Sequence, residues 1–249
     1  MKSFHKGFAA IFLAVGLLTG AMAQSSGRYD QDIQAKAGQQ LAKKAQFKNL
    51  QSSVDDGIVT LTGSVDVYQQ KLDAANKVRK LANVQGVRNL IAVEGQSVPD
   101  AQLAAKLDHK LYYDRIGYDN QFNYVTASVQ GGVATLSGEA RTEVDRNSAL
   151  SLANLMPGVK DVVNDIRVAP VSGYDDDIRI RVMQAIYRDP LLGRYSSDPA
   201  LPIRIVVNNG KLSLYGTVEN SMDKNVAGIR ASGVSGVFSV QNNLQVGKS

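Results

Sequence analysis

Apolar and polar residues alternate in three short stretches of this chain, and each stretch begins at the same kind of turn. Val54-Asp-Asp-Gly57-Ile58, Val129-Gln-Gly-Gly132-Val133 and Val207-Asn-Asn-Gly210-Lys211 set Asp, Asn and Gly between alternating apolar positions. Those residues tolerate left-handed backbone, so each stretch predicts a tight two-strand hairpin. In the strand that follows, Val59 and Leu61, Ala134 and Leu136, and Leu212 and Leu214 share one face. Thr60, Thr135 and Ser213 face the other way, as in a sheet with one buried face.

The period then changes from two to nearly four. Leu72, Ala75, Val78 and Ala82 recur at helical spacing, as do Met222, Val226 and Ile229, while Val144 to Met156 is apolar enough for a buried helix. Ahead of each hairpin lies another amphipathic stretch, marked by Ile33, Ala37 and Leu41, by Leu103, Leu107 and Leu111, and by Ile178, Val182 and Ile186. A last strand ends near Val93, Val168 and Val246. The pattern predicts an α+β protein of three tandem small α-β-β-α-β domains. A helix between the second and third strands makes those strands parallel. Each domain is therefore expected to hold a three-stranded mixed sheet with two helices on one face. The expected domains are 28–95, 100–169 and 174–247, joined at Gly95–Asp100 and Ala169–Tyr174.

Repetition supports this division. Gly57 to Gly63 returns as Gly132 to Gly138 and as Gly210 to Gly216, and the second glycine stands 26 residues before Asn89, Asn164 and Asn242. One register held three times is a structural repeat.

Composition and charge narrow the setting. Lys2 and Lys6 precede an apolar run from Phe8 to Leu18, and Ala21-Met22-Ala23 supplies small residues for cleavage. That order predicts a signal peptide over 1–23, since 11 apolar residues are too few for a span of about 20. There is no cysteine, so disulfides, thiolate metal sites and a cysteine-borne lipid anchor are excluded. Export without disulfides points to a bacterial periplasm. The net charge is +5, far from the basic stripe of a nucleic-acid binder, so no nucleic-acid partner is expected.

The first-helix starts Asp32-Ile33 and Asp177-Ile178, the Gly-x-[VAL]-x-Leu-x-Gly hairpins and the closing Val-x-Asn-x-[IL]-x-Val strands together resemble the BON family. Copies two and three also carry Gly158-Val159 and Gly236-Val237, where copy one departs with Asn83-Val84. The resemblance spans nearly the whole chain after residue 23. It implies a non-catalytic periplasmic envelope protein whose domains attach to phospholipid surfaces or to envelope proteins.

Candidate chemistry is sparse. Gly57, Gly63, Gly132, Gly138, Gly210 and Gly216 are read as turn and close-approach residues, and Asn89, Asn164 and Asn242 as local backbone hydrogen-bonding residues at strand starts. His109 stands alone after residue 23, with no metal cluster in sequence around it. Asp175-Asp176-Asp177 lacks the spacing of a calcium loop and reads as helix-start charge. No nucleophile elbow or phosphate loop is present, so no catalytic residue, cofactor or metal is expected.

The copies differ between first helix and hairpin. From Leu41 to Gly57 the spacing is 16, from Leu111 to Gly132 it is 21, and from Ile186 to Gly210 it is 24. The second insertion crowds Tyr112, Tyr113, Tyr118, Phe122 and Tyr124 around Arg115, and the third carries Leu191, Leu192, Arg194 and Tyr195. Tyrosines with one wet end suit membrane headgroups and interfaces. These ten residues are the candidate binding set, with an anionic phospholipid surface or envelope proteins as the expected partner. The alternative reading is a multivalent protein-interaction adaptor, or assembly element, in the periplasm.

Overall fold

The computed structural model describes residues 27–114, 120–198 and 200–247. The expected signal peptide, Arg115 and Tyr118 lie outside the described residues.

The first repeat runs α1 (Asp30–Ala42), β1 (Leu50–Asp55), β2 (Ile58–Val65), α2 (Tyr68–Arg79), β3 (Gly86–Asn89) and β4 (Ala92–Val93). The second runs α3 (Asp100–Tyr113), β5 (Tyr124–Gln130), β6 (Val133–Ala140), α4 (Glu143–Asn154) and β7 (Asp161–Val168). The third runs α5 (Gly173–Tyr187), β8 (Arg204–Asn208), β9 (Lys211–Tyr215), β10 (Thr217–Val218), α6 (Ser221–Ser232), β11 (Ser239–Asn242) and β12 (Gln245–Val246). In every repeat the hairpin strands pair antiparallel and the strand after the crossover helix pairs parallel to the middle strand. The α+β mixed-sheet fold is therefore as the alternating pattern predicts.

The three hairpin turns share one geometry. Asp56 and Gly57 have φ of 49° and 74°, Gly131 and Gly132 60° and 81°, and Asn209 and Gly210 50° and 72°. Two successive positive φ values define the type I′ turn, whose twist matches that of the flanking strands. The second glycine of each hairpin has a different reason. A Cβ on Gly63, Gly138 or Gly216 would lie 2.1, 2.1 or 1.9 Å from the carbonyl oxygen of Asn49, Tyr124 or Pro202. No side chain fits there, because the edge strand enters across that point.

An acid at the start of each first helix holds the turn. The Asp30 carboxylate accepts the N–H groups of Asp56 and Gly57 at 3.0 and 2.9 Å. Asp100 accepts those of Gly131 and Gly132 at 2.7 and 3.0 Å, and Asp175 those of Asn209 and Gly210 at 2.8 and 2.9 Å. One carboxylate thus satisfies two turn donors and places a negative charge in the first turn of a helix. Each of these acids stands three residues before the first buried apolar residue of its helix, Ile33, Leu103 or Ile178. Asp32, of the Asp32-Ile33 pair, lies two residues further on and pairs with Lys36 on the exposed face, at 2.6 Å.

Each repeat has its own core between two helices and one sheet face. Ile33, Leu41, Val59, Leu61 and Val78 join in the first, Leu103, Leu107, Leu136 and Ala149 in the second, and Ile178, Val182, Ile205 and Leu214 in the third. The repeated asparagines hydrogen-bond local backbone as expected, but not at strand starts. Asn89 and Asn242 end their strands rather than start them, and their Nδ2 atoms donate to the carbonyls of Lys71 in α2 and Lys224 in α6 at 2.9 and 2.7 Å. The Oδ1 atoms of Asn89, Asn164 and Asn242 accept from the N–H two residues on. The asparagine therefore closes a local turn, and in the first and third repeats it also pins the crossover helix. In α6 the buried side is Asp223, Ala227 and Ala231. Met222 and Ile229 face outward, 63% and 67% exposed.

Candidate functional site

The aromatic insertion of the second domain runs from the end of α3 into β5, and it meets the third domain. Phe122 is buried in the third domain's core cluster, in the company of Ile178, Ile203 and Ile205. Tyr124 stacks on Tyr215 with ring centroids 4.0 Å apart and planes 4° from parallel. Tyr112 lies under the Arg204 guanidinium, whose Cζ is 4.7 Å from the ring centroid. Burial, with the nearby Asp198 charge adding to it, pushes the Tyr112 phenol up to about 12. Of the second domain's described candidates, Tyr113 keeps the most open face, 41% exposed and tilted against His109.

An ion pair completes this contact. Arg141, after β6, reaches Asp176 in the first turn of α5 at 3.1 Å, and Arg179 reaches the same oxygen at 2.6 Å. Burial works against the Asp176 charge, but the hydrogen bonds from Arg141 and Arg179 outweigh it and hold the carboxyl below its ordinary value. Asp176 is thus more than helix-start charge: it bridges two domains. The contact between the first and second domains is thinner, with Tyr68 of α2 packed against the second core and hydrogen-bonded to Asp161.

The third domain's insertion divides into an inward and an outward half. Leu192 and Tyr195 are buried in the core. The Tyr195 hydroxyl donates to the Asp223 carboxylate at 2.6 Å and accepts from the Glu219 N–H at 2.7 Å. Leu191 is 46% exposed beside Pro190, and Arg194 lies over the Tyr195 ring while pairing with Asp223 and Glu219. Arg188, Pro190, Ile229 and Arg230 line one shallow groove next to Leu191. Arg230 pairs with Asp189 at 2.6 Å. Burial alone would raise the Asp189 carboxyl, but the Leu191 and Leu192 N–H groups and Arg230 hold it low. Asp189 and Asp223 lie beneath the surface, while Arg230, Arg194 and the second partner of Arg194, Glu219, are open to solvent.

Two of these features carry no sequence signal of their own. Met222 and Ile229 read as core-facing helical positions, and Arg204 stands as one polar residue among the apolar Ile203, Ile205, Val206 and Val207. One grouping of three acids occurs among the described residues, Asp30 with Asp55 and Asp56. Asp30 in that group already accepts two turn N–H bonds, which accounts for the gathering.

Three copies of one α-β-β-α-β unit, built on the same turn, the same glycine crossing and the same acid, define a tandem-repeat α+β protein. The chain belongs to the BON domain family: the family's model matches residues 29–95, 99–170 and 174–248. It is similar to an uncharacterized protein in the gshII 5′ region of Anaplasma centrale, 28% identical over 145 residues, which are 56% of this chain and 94% of that one. Among solved structures it is similar to the C-terminal domain of CdsD, the structural protein of the type III secretion system of Chlamydia trachomatis. That match has 14% identity and a TM-score of 0.25, covering 87% of this chain and 98% of the other. It is also similar to the periplasmic domain of the type III secretion inner-membrane protein PrgH from S. typhimurium, at 9% identity and a TM-score of 0.23, covering 84% and 100%. Among the described residues no helix is long and apolar enough to cross a membrane.

Proposed function

We propose that this is an exported, non-enzymatic cell-envelope protein that lies against anionic phospholipid through its third domain and supports envelope integrity under osmotic or envelope stress. The observation that carries the reading is the outward face of α6 and the loop beside it. Leu191, Met222 and Ile229 are exposed there together with Arg188, Arg194 and Arg230. Apolar side chains that dip into a headgroup layer, ringed by guanidinium groups, suit a negatively charged surface. Each basic group near such a surface adds about 1 kcal/mol of attraction. Membership of the BON domain family and the leader-like start of the chain support the envelope setting. Tyr113, open on the second domain, extends the candidate surface; Phe122, Tyr124, Leu192 and Tyr195 contribute by holding the domains that carry it.

Co-sedimentation of residues 24–249 with anionic and neutral liposomes across a salt series tests the proposal. The expected result is binding to anionic vesicles alone, lost as the screening length shrinks from about 10 Å at 0.1 M salt to about 3 Å at 1 M. Replacing Leu191 and Ile229 by serine should weaken binding at every salt concentration. No binding at low salt, or binding indifferent to salt, would move the protein to the adaptor class, with envelope proteins as the partners to seek.

A further inference from the structure

The second and third domains form a partly open cavity of about 170 Å³ at their junction. Its walls include Leu111 and Val125, the rings of Tyr112 and Tyr124, and one cation, Arg204. Arg204 is 5% exposed; its Nη1 is closed off from solvent with no hydrogen-bond partner among the described residues, so a ligand in the cavity meets the guanidinium along its other N–H groups. Its Nη2 reaches only the Tyr112 carbonyl, at 3.5 Å, beyond the usual range for such a bond. No carboxylate faces it at salt-bridge distance among the described residues. The Tyr112 ring and the Asp198 charge offset part of the cost of burying this guanidinium, and an acceptor on its remaining N–H groups would lower that cost further.

We infer that this interdomain cavity binds a small organic acid, its carboxylate on Arg204 and its apolar body against Leu111, Val125 and the two tyrosine rings. A carboxylate matches the fork of a guanidinium. The volume suits a compact body, since an apolar cavity of about 150 Å³ admits benzene. Asn120, Asn123 and Thr126 also line the cavity, and Asn120 Nδ2 already donates to the Tyr112 carbonyl. A phosphate would meet Arg204 as the one cation of the lining, which leaves its second charge uncompensated. The Asp108 carboxylate also lines the cavity, and its Oδ1 accepts the Ala127 N–H at 3.0 Å. A second negative charge on the ligand would meet it, so a monoanion is the better fit. The site draws on both domains: Leu111, Tyr112, Tyr124 and Val125 come from the second and Arg204 from the third. A bound acid would therefore lock their junction. This site is independent of any membrane contact made by α6.

The test is an NMR titration of residues 24–249 with benzoate, the neutral benzamide and inorganic phosphate. Benzoate should shift the Leu111 and Val125 methyls and the Arg204 guanidinium together and saturably, with a dissociation constant of about 1 mM or tighter. Benzamide and phosphate should each bind at least about tenfold more weakly. Arg204→Met should weaken benzoate binding about tenfold or more, and Thr126→Trp, at the exposed rim of the cavity, should do so without touching the cation. If Arg204→Met does not fold, the titration of the native chain decides. Benzoate shifts that are absent or scattered over the surface would overturn the inference, and so would equal binding of benzamide or of phosphate.

Discussion

Strands β1 and β8 hold the same place in their domains, yet they are covered differently. Along β1 exposed residues alternate with half-buried ones, while β8 buries Arg204, Ile205, Val206 and Val207 in succession. The hairpin turns, the crossing glycines and the pairing partners are equivalent in the two copies. What differs is the neighbour. The second domain's insertion lays its short helical turn at Asn120–Phe122 against β8 and sends Phe122 into the third core. An edge strand exposes unpaired backbone and must be managed. The third domain manages its own by borrowing a segment of the second, and the two become one packed body. The first domain meets the second mainly through Tyr68 and keeps a self-contained core.

Phe122→Ala breaks this comparison most severely. A cavity in a shared core costs about 3–5 kcal/mol, and chemical denaturation should show the loss in the third domain although the residue belongs to the second. Asp175→Ala should cost about 1–3 kcal/mol, because its carboxylate is buried and two turn donors lose their acceptor. The equivalent Asp30→Ala should cost less, since the Asp56 N–H it serves can turn to water. Paired denaturation curves of the two variants check that order. Removing the Tyr124–Tyr215 stack should cost about 0.5–1.5 kcal/mol beyond the area lost, read by a double-mutant cycle.

The smallest effect is that of pH. Arg141 and Arg179 hold Asp176 below its ordinary value, so their contribution is complete above the unfolded carboxyl pKa near 3.8. It falls away as pH drops through the lowered folded value. The coupling between Arg141 and Asp176 in a double-mutant cycle should therefore shrink in acid and stay constant from mildly acid to neutral pH. A coupling that grows in acid would contradict the assignment.

Which of these features the sequence makes legible follows from their range. The Gly57, Gly132 and Gly210 turns and the alternation in β2, β6 and β9 are set by neighbouring residues, so period and turn chemistry expose them. The parallel third strand follows from a helix-length crossover. The role of Asp30, Asp100 and Asp175 is less visible, since their partners lie 27, 32 and 35 residues away. The fixed three-residue step to the first buried apolar residue is the signal that finds them. Tyr112, Phe122 and Tyr124 stand out as an aromatic run, but sequence cannot say whether such a run meets solvent, a membrane or another domain. Only the fold shows that Phe122 enters the third core while Tyr113 stays open. Arg204 is hidden for the same reason: its burial comes from the neighbouring domain and not from its own strand.

Hydrogen exchange on the native chain and on Phe122→Ala tests the coupling of the second and third domains most directly. Faster exchange is expected in the variant over residues 124–140 and 204–215 together, with residues 50–65 unchanged. Faster exchange confined to the few residues around position 122, or spread equally over all three domains, would contradict it.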